Sequence, residues 1–338
     1  MFKERANIRK TLNFLIRAVI ILFTYGFIYR QVFHLRKPAE IFLTLESALE
    51  QHQNLVLLTG IMLLMLLNWG VESLKWKLLI SKIERVSYIK AYKAVLTGVS
   101  VSLFTPNRTG DYLGRVFILD RANHIEGILI TIIGSFAQLV VTLSVGLFCL
   151  LSFLDHYFVP YQHSEYLVTG LIFIVPAAVF FILLIYFKIG LLSDFFSRYF
   201  PARWRKLADF TRVFGRFSSR ELLWNLFLSL LRYFIFTTQF LLLLHLFGAV
   251  IPAVEGFILV AVIYLFMTIV PTVALVDLGI RGSVSLYILG LYFSQFAPAH
   301  EDPEVAILAA SSALWLINLI LPAILGTFFV FNLKFFRK

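Results

Sequence analysis

Stretches of about twenty apolar residues recur along this chain, and few folds are open to such a stretch. A hydrocarbon core about 30 Å thick is crossed by about 20 residues of α-helix. Within it every backbone N–H and C=O must be satisfied inside the protein. Six runs have the required length: residues 11–33, 54–74, 128–154, 166–187, 222–246 and 305–331. The mean hydropathy of +0.86, with 60% hydrophobic and 14% charged residues, excludes a soluble globular domain. The run at 11–33 follows a basic start but carries Arg17 and no small-residue cleavage site, so it reads as a retained helix. The single cysteine, Cys149, lies in an apolar run as a small core hydrophobe, which leaves no disulfide framework.

Two further regions are broken. In 91–119 an apolar arm ends at Phe104, and the polar segment Thr105-Pro106-Asn107-Arg108-Thr109-Gly110-Asp111 precedes a second short arm. Proline removes a backbone donor and glycine permits a reversal, so Pro106, Asn107 and Gly110 read as the tip of a re-entrant hairpin. In 253–296 the break is placed between Pro271 and Gly282, with Gly279, Asp277 and Arg281 inside it. This second region is either re-entrant or two full spans, and both give the same exit side.

Charge sets the orientation, because Lys and Arg near helix ends stay cytoplasmic. Lys3, Arg5, Arg9 and Lys10 lead the chain, and Lys75, Lys77, Lys82, Arg85, Lys90 and Lys93 follow the second run. Residues 188–220 hold eight Lys or Arg, and the tail ends with Lys334, Arg337 and Lys338. Segments 155–165 and 296–304 hold none. Arg36 and Lys37, after Arg30, are the exception in the first external loop. The pattern predicts a multi-pass plasma (inner) membrane protein with both termini cytoplasmic. It divides near Pro160 into two units, 1–160 and 161–338, each ordered helix, helix, hairpin, helix. The units face opposite ways, so the hairpin tips meet near the midplane, as in inverted-repeat transporters. The fold class expected is an all-α polytopic membrane protein with about six full spans and two re-entrant or broken hairpins.

An ionisable group within the bilayer is costly and faces a partner or a wet cavity. The leading set is Arg108, Asp111, Arg115, Asp277 and Arg281, with Glu72 as a deeper carboxylate pairing with one of the arginines. Asp111 and Arg115 are four residues apart, as are Asp277 and Arg281, so each pair fits one helical turn. Arginine forks and free amides at broken helix ends bind phosphate, which points to a lipid phosphate as ligand. The plainer reading is two ion pairs that neutralise each other. Lys75, near Trp69 and Trp76, reads as snorkelling beside interfacial aromatics. Arg17 and Arg232 read as snorkelling or pairing with a neighbouring helix, and Asn68 and Gln138 as interhelical hydrogen-bonding residues. Glu255 reads as a solvated helix end. Residues 188–220, basic and aromatic by turns, suit an anionic leaflet; nucleic acid is not expected. No catalytic motif, metal site or cofactor signature is present in the sequence.

The segment Pro106-Asn107-Arg108-Thr109-Gly110-Asp111 with Arg115, and the later Leu278-Gly279-Ile280-Arg281, resemble motifs of the lysylphosphatidylglycerol synthase family, in its transmembrane flippase-like domain. Members often carry an acidic residue where Gly282 stands, and this chain departs from them there. The resemblance implies a stand-alone lipid-translocating domain without the soluble synthase, acting on a phospholipid or polyprenyl-linked lipid. The expected function is thus a flippase or scramblase-like transporter. The alternatives are a membrane-embedded transferase acting on a polyprenyl phosphate with Asp111 as base, or a scaffold for other enzymes.

Overall fold

The structure, a computed structural model, describes residues 52–103, 105, 108–158, 164–191, 210–270, 274–296 and 303–330, with five more between 15 and 26. Those five, Leu15, Ala18, Val19, Leu22 and Gly26, are helical; the rest of the expected helix at 11–33, Arg17 included, lies outside the described residues. Every regular element among the described residues is helical. In chain order these are α1 (His52–Ile80), α2 (Tyr88–Ser102), α3 (Gly110–Val116), α4 (His124–Phe158), α5 (Ser164–Phe187), α6 (Ser219–Leu246), α7 (Ala253–Ile269), α8 (Ala274–Phe296), α9 (Pro303–Trp315) and α10 (Leu321–Thr327). Five stretches are long and apolar enough to cross a membrane: Asn54–Ile80, His124–Tyr157, Thr169–Phe187, Ser219–Leu246 and Pro303–Thr327. The protein is an all-α polytopic membrane protein.

The helices overrun the apolar runs that announce them. α1 continues past residue 74 to Ile80, which brings Lys75, Trp76 and Lys77 into a helix instead of a loop. Its buried stripe runs Ile61, Met65, Asn68, Glu72, Lys75 and Leu79, at the spacing of one helical face, while Leu63, Leu67, Leu74 and Leu78 are exposed. The exposed apolar belt continues on α5 with Phe173, Phe180 and Ile185. Apolar side chains therefore face lipid and the polar stripe faces protein, as the bilayer solvent demands. α6 opens on a capping box, Ser218 with Glu221.

Both broken regions form helical hairpins. In the first, α2 and α3 run antiparallel: a Cβ on Gly114 would come within 2.7 Å of the Gly98 Cα, and one on Gly110 would meet the Val101 carbonyl at 2.5 Å. Seven residues of α3 and fifteen of α2 are too few to cross a bilayer. In the second, α7 is short and α8 has 23 residues.

Packing crosses between the halves. α1 lies along α6, where Gln239 Nε2 donates to the Ile61 carbonyl at 2.9 Å. The last long helix of the first half, α4, packs on α7, and α10 packs on α2. Gly326 on α10 lies so close to the Leu96 carbonyl and Ser100 that no side chain fits there, and Ser100 Oγ donates to the Ala323 carbonyl at 2.6 Å. Between α9 and α10 the final span widens into a π turn, Leu316–Ile320. There the Leu321 N–H bonds the Leu316 carbonyl, and Pro322 has no N–H to offer the carbonyl four residues back.

Candidate functional site

The polar stripe of α1 meets α3 and α6 at Glu72. Its carboxylate, 5% exposed, accepts from Arg115 Nη1 at 2.6 Å and pairs with Lys75 Nζ at 2.8 Å and with Arg232 Nη1. Arg115 also grips Asp111 on the same turn of α3, Nε to Oδ1 at 2.8 Å and Nη2 to Oδ2 at 2.6 Å. Arg232 Nε donates to Asn68 Oδ1 at 2.9 Å, and Asn68 Nδ2 donates to Asn318 Oδ1 at 3.3 Å in the π turn. The Arg232 guanidinium lies over the Trp69 ring, 5.5 Å from its centre.

Lys75 does not snorkel. It is 2% exposed, held by Glu72, the Ser229 hydroxyl and the Gly134 carbonyl. Nor do Trp69 and Trp76 anchor at a surface: both are buried, and Trp76 Nε1 donates to Thr131 Oγ1 at 3.1 Å. Glu72 three residues ahead supplies the countercharge that a buried ammonium requires. Arg232 pairs with α1, and Gln138 Nε2 reaches the Ser229 carbonyl across helices.

A second cluster joins the two hairpins. Arg108, in the connection between α2 and α3, donates from Nη2 to Asp277 Oδ2 on the first turn of α8 at 2.9 Å. Arg281 approaches the same oxygen at 3.7 Å from one turn further on. The two sequence-predicted breaks thus meet through an ion pair. Arg108 has a φ of 55°, left-handed backbone that a non-glycine residue adopts at a cost. Of the residues assigned to the breaks, Gly110 begins α3, whereas Pro106, Asn107 and Pro271 lie outside the described residues. Gly279 and Gly282 are not at a break: both lie inside α8, which begins at Ala274, while α7 ends at Ile269. A helix interior tolerates glycine at about 1 kcal/mol, so glycine alone did not mark the turn.

Both clusters bound one cavity of about 340 Å³. Arg108, Arg232, Asp277 and Arg281 line it, together with Trp69, Gln138, Tyr233, Trp315 and Asn318. Six of these were not read as site residues in the sequence: Trp69, Gln138 and Arg232, given interfacial, interhelical and snorkelling or pairing roles, and Tyr233, Trp315 and Asn318, not singled out at all. The signal available for Asn318 was Pro322, a helix-distorting residue one turn later in an apolar span. Among the described residues no group of three His, Cys, Asp or Glu could hold a metal ion.

Outside the spans, Glu84 staples the loop after α1 to the loop before α4. It accepts from the backbone N–H groups of Asp120, Arg121 and Ala122 at 2.8–3.0 Å and from Lys90 Nζ at 3.0 Å. Burial works to raise its pKa, but these donors outweigh it and hold the carboxyl down at about 2. Of the basic segment 188–220, residues 192–209 lie outside the described residues. In the described part Val213 and Phe214 are buried in the protein, and Phe217 lies under Lys82. Glu255 is exposed, as a solvated helix end.

Membrane-length helices around an arginine-lined cavity define a polytopic membrane protein with a polar pocket in its bundle. Residues 12–326 match the family profile described as lysylphosphatidylglycerol synthase TM region, and the chain belongs to that family. Its role therefore concerns membrane lipid. Neither the curated proteins nor the solved structures contain a significant match.

Proposed function

We propose that the protein moves a phosphate-bearing lipid, or a lipid-linked headgroup, between leaflets as a flippase or scramblase-like transporter. The observation that carries this is the cavity itself, where three arginines and one aspartate face a common space inside a bundle whose outer surface is apolar. A headgroup occupies the cavity while acyl chains stay in lipid. Arg108, Arg232 and Arg281 take the phosphate; Asp277 orients two of them, and Glu72, Asp111 and Arg115 brace Arg232 from behind. The same reading takes the chain as two inverted repeats; in its favour, each half's last span packs on the other half's hairpin, an exchange expected of a pseudo-twofold pair. In this reading the protein sits in the plasma (inner) membrane with both termini on the cytoplasmic side, for which the Lys and Arg of the loops argue. A transferase with Asp111 as base is disfavoured, because Arg115 takes both oxygens of that carboxylate.

The test is a leaflet-specific assay in proteoliposomes with fluorescent phospholipids. Wild type accelerates exchange, and the Arg108→Gln/Arg281→Gln double variant, folded and reconstituted equally, loses most of it. Equal rates in the two proteins would refute the path.

A further inference from the structure

The cavity has a charge and a hydrogen-bonding polarity of its own. Among the described residues Arg108, Arg232 and Arg281 face one carboxylate there, Asp277, an excess of two positive charges. Taking the surrounding network as a whole, Lys75 and Arg115 add two cations and Glu72 and Asp111 two carboxylates, so the excess of two persists. The donors are equally one-sided. Trp69 Nε1, Tyr233 Oη, Arg281 Nε and Trp315 Nε1 are buried polar atoms without a partner among the described residues, and all four residues line this cavity. Against them stands one unpartnered acceptor on the lining, Gln138 Oε1. Buried N–H donors without acceptors are costly, and a surplus of cations in a low-dielectric interior costs more. A ligand rich in acceptors and carrying two negative charges answers both demands together. A phosphodiester with one charge leaves a cation unmatched, and a headgroup bearing its own ammonium adds to the surplus.

We propose, resting on the transport reading above, that this site selects lipids whose headgroup is a dianion, a phosphomonoester or a diphosphate, over monoanionic phosphodiester lipids and over cationic aminoacylated ones. The volume suits a headgroup of that size. Arg108 and Arg281, bridged by Asp277, act as the two arms of a clamp, and Trp69, Tyr233 and Trp315, whose donors lack a partner among the described residues, stand in the wall around it.

The test is competition binding to the purified full chain in detergent, read by native mass spectrometry. The probes are equimolar phosphatidic acid, a long-chain isoprenyl diphosphate, phosphatidylglycerol and its lysyl ester. The first two separate phosphomonoester from diphosphate. Wild type is expected to favour one or both of these over phosphatidylglycerol by about tenfold, the factor that one charge-assisted interaction provides, and to bind the lysyl ester least. Arg281→Gln removes most of that preference. Tyr233→Phe, which deletes a donor and keeps the ring, and Trp315→Phe, which deletes a donor and keeps a smaller aromatic ring, weaken the dianionic lipids without unfolding the bundle. Equal binding of phosphatidylglycerol, tighter binding of the lysyl ester, or unchanged dianion affinity in all three folded variants overturns the proposal. Selective binding with no translocation in vesicles overturns the transport reading and leaves the charge selection standing. Translocation of phosphatidylglycerol as fast as of the dianions does the reverse.

Discussion

At Glu72 three cations converge on two oxygens; Glu72, Lys75 and Arg115 are buried, and Arg232 opens onto the cavity. Deleting one member of a buried ion network leaves a charge with nothing to oppose it, at about 3–5 kcal/mol. Glu72→Gln leaves Lys75 and Arg232 without a carboxylate and Arg115 with Asp111 alone, whereas Arg232→Gln leaves Glu72 with two cations. Glu72→Gln is therefore expected to lower thermal stability in detergent the more of the two, and the opposite order would show that the hub lies elsewhere. Arg108 separates backbone from charge: Arg108→Gly and Arg108→Ala both lose the contact with Asp277, but only glycine is at ease at a φ of 55°. The glycine variant should be the more stable by about 1 kcal/mol. Glu84 has its own pH signature. Its folded pKa is depressed, so its contribution is full above the ordinary carboxylate value of 4.5 and is lost as pH falls toward about 2. Glu84→Gln should flatten the acid limb of a stability profile in that window; an unchanged limb would assign it to another group. At this scale the sequence was only half legible. The one-turn pairs Asp111–Arg115 and Asp277–Arg281 can be read from spacing, but a lone cation in an apolar run reads alike whether it snorkels or pairs. For Arg232 the answer depends on partners 160 and 164 residues away.

The α2–α3 hairpin holds together because two glycines let backbones touch. A Cβ on Gly98 would meet the Asp111 carbonyl at 2.8 Å, and one on Gly114 the Thr97 carbonyl at 3.0 Å. The neighbouring atoms are backbone and cannot step aside, so Gly98→Ala should force the arms apart and detach Arg115 from Glu72. Hydrogen exchange is expected to rise in both 88–102 and 110–116, and an unaltered exchange pattern would mean that the arms tolerate separation. Small residues at close helix contacts are the usual membrane solution, yet no periodicity distinguishes Gly98 from Gly279, where an added Cβ would meet no neighbouring element within 4 Å. Element existence was plain from the apolar runs. Element ends were not, because helices continue into charged residues wherever a partner helix neutralises them, as α1 does through Lys75.

On the scale of the molecule, the exchange of partners between halves means that neither half has a complete packing surface alone. The orientation inferred from loop charges is testable in a Cys149→Ser background, since Cys149 is the single cysteine. Arg85→Cys should label from the cytoplasmic face and Glu255→Cys from the opposite one, both positions being exposed; labelling from one side would remove the inverted arrangement. The meeting of the two broken regions was anticipated by symmetry, and the Arg108–Asp277 contact gives it a physical form. The cavity was not foreseeable, because its wall draws on residues from 68 to 319. One turn in that wall holds more chain than its neighbours. A π turn accommodates an extra residue relative to α-helix, and each residue passed through such a defect rotates by about 100° about the axis. Sliding the Leu316–Ile320 turn by one position would swing Trp315 or Asn318 out of the lining while the ends of the span stayed in place. The register of this turn, and not the position of the span's ends, thus sets which of its side chains line the interior.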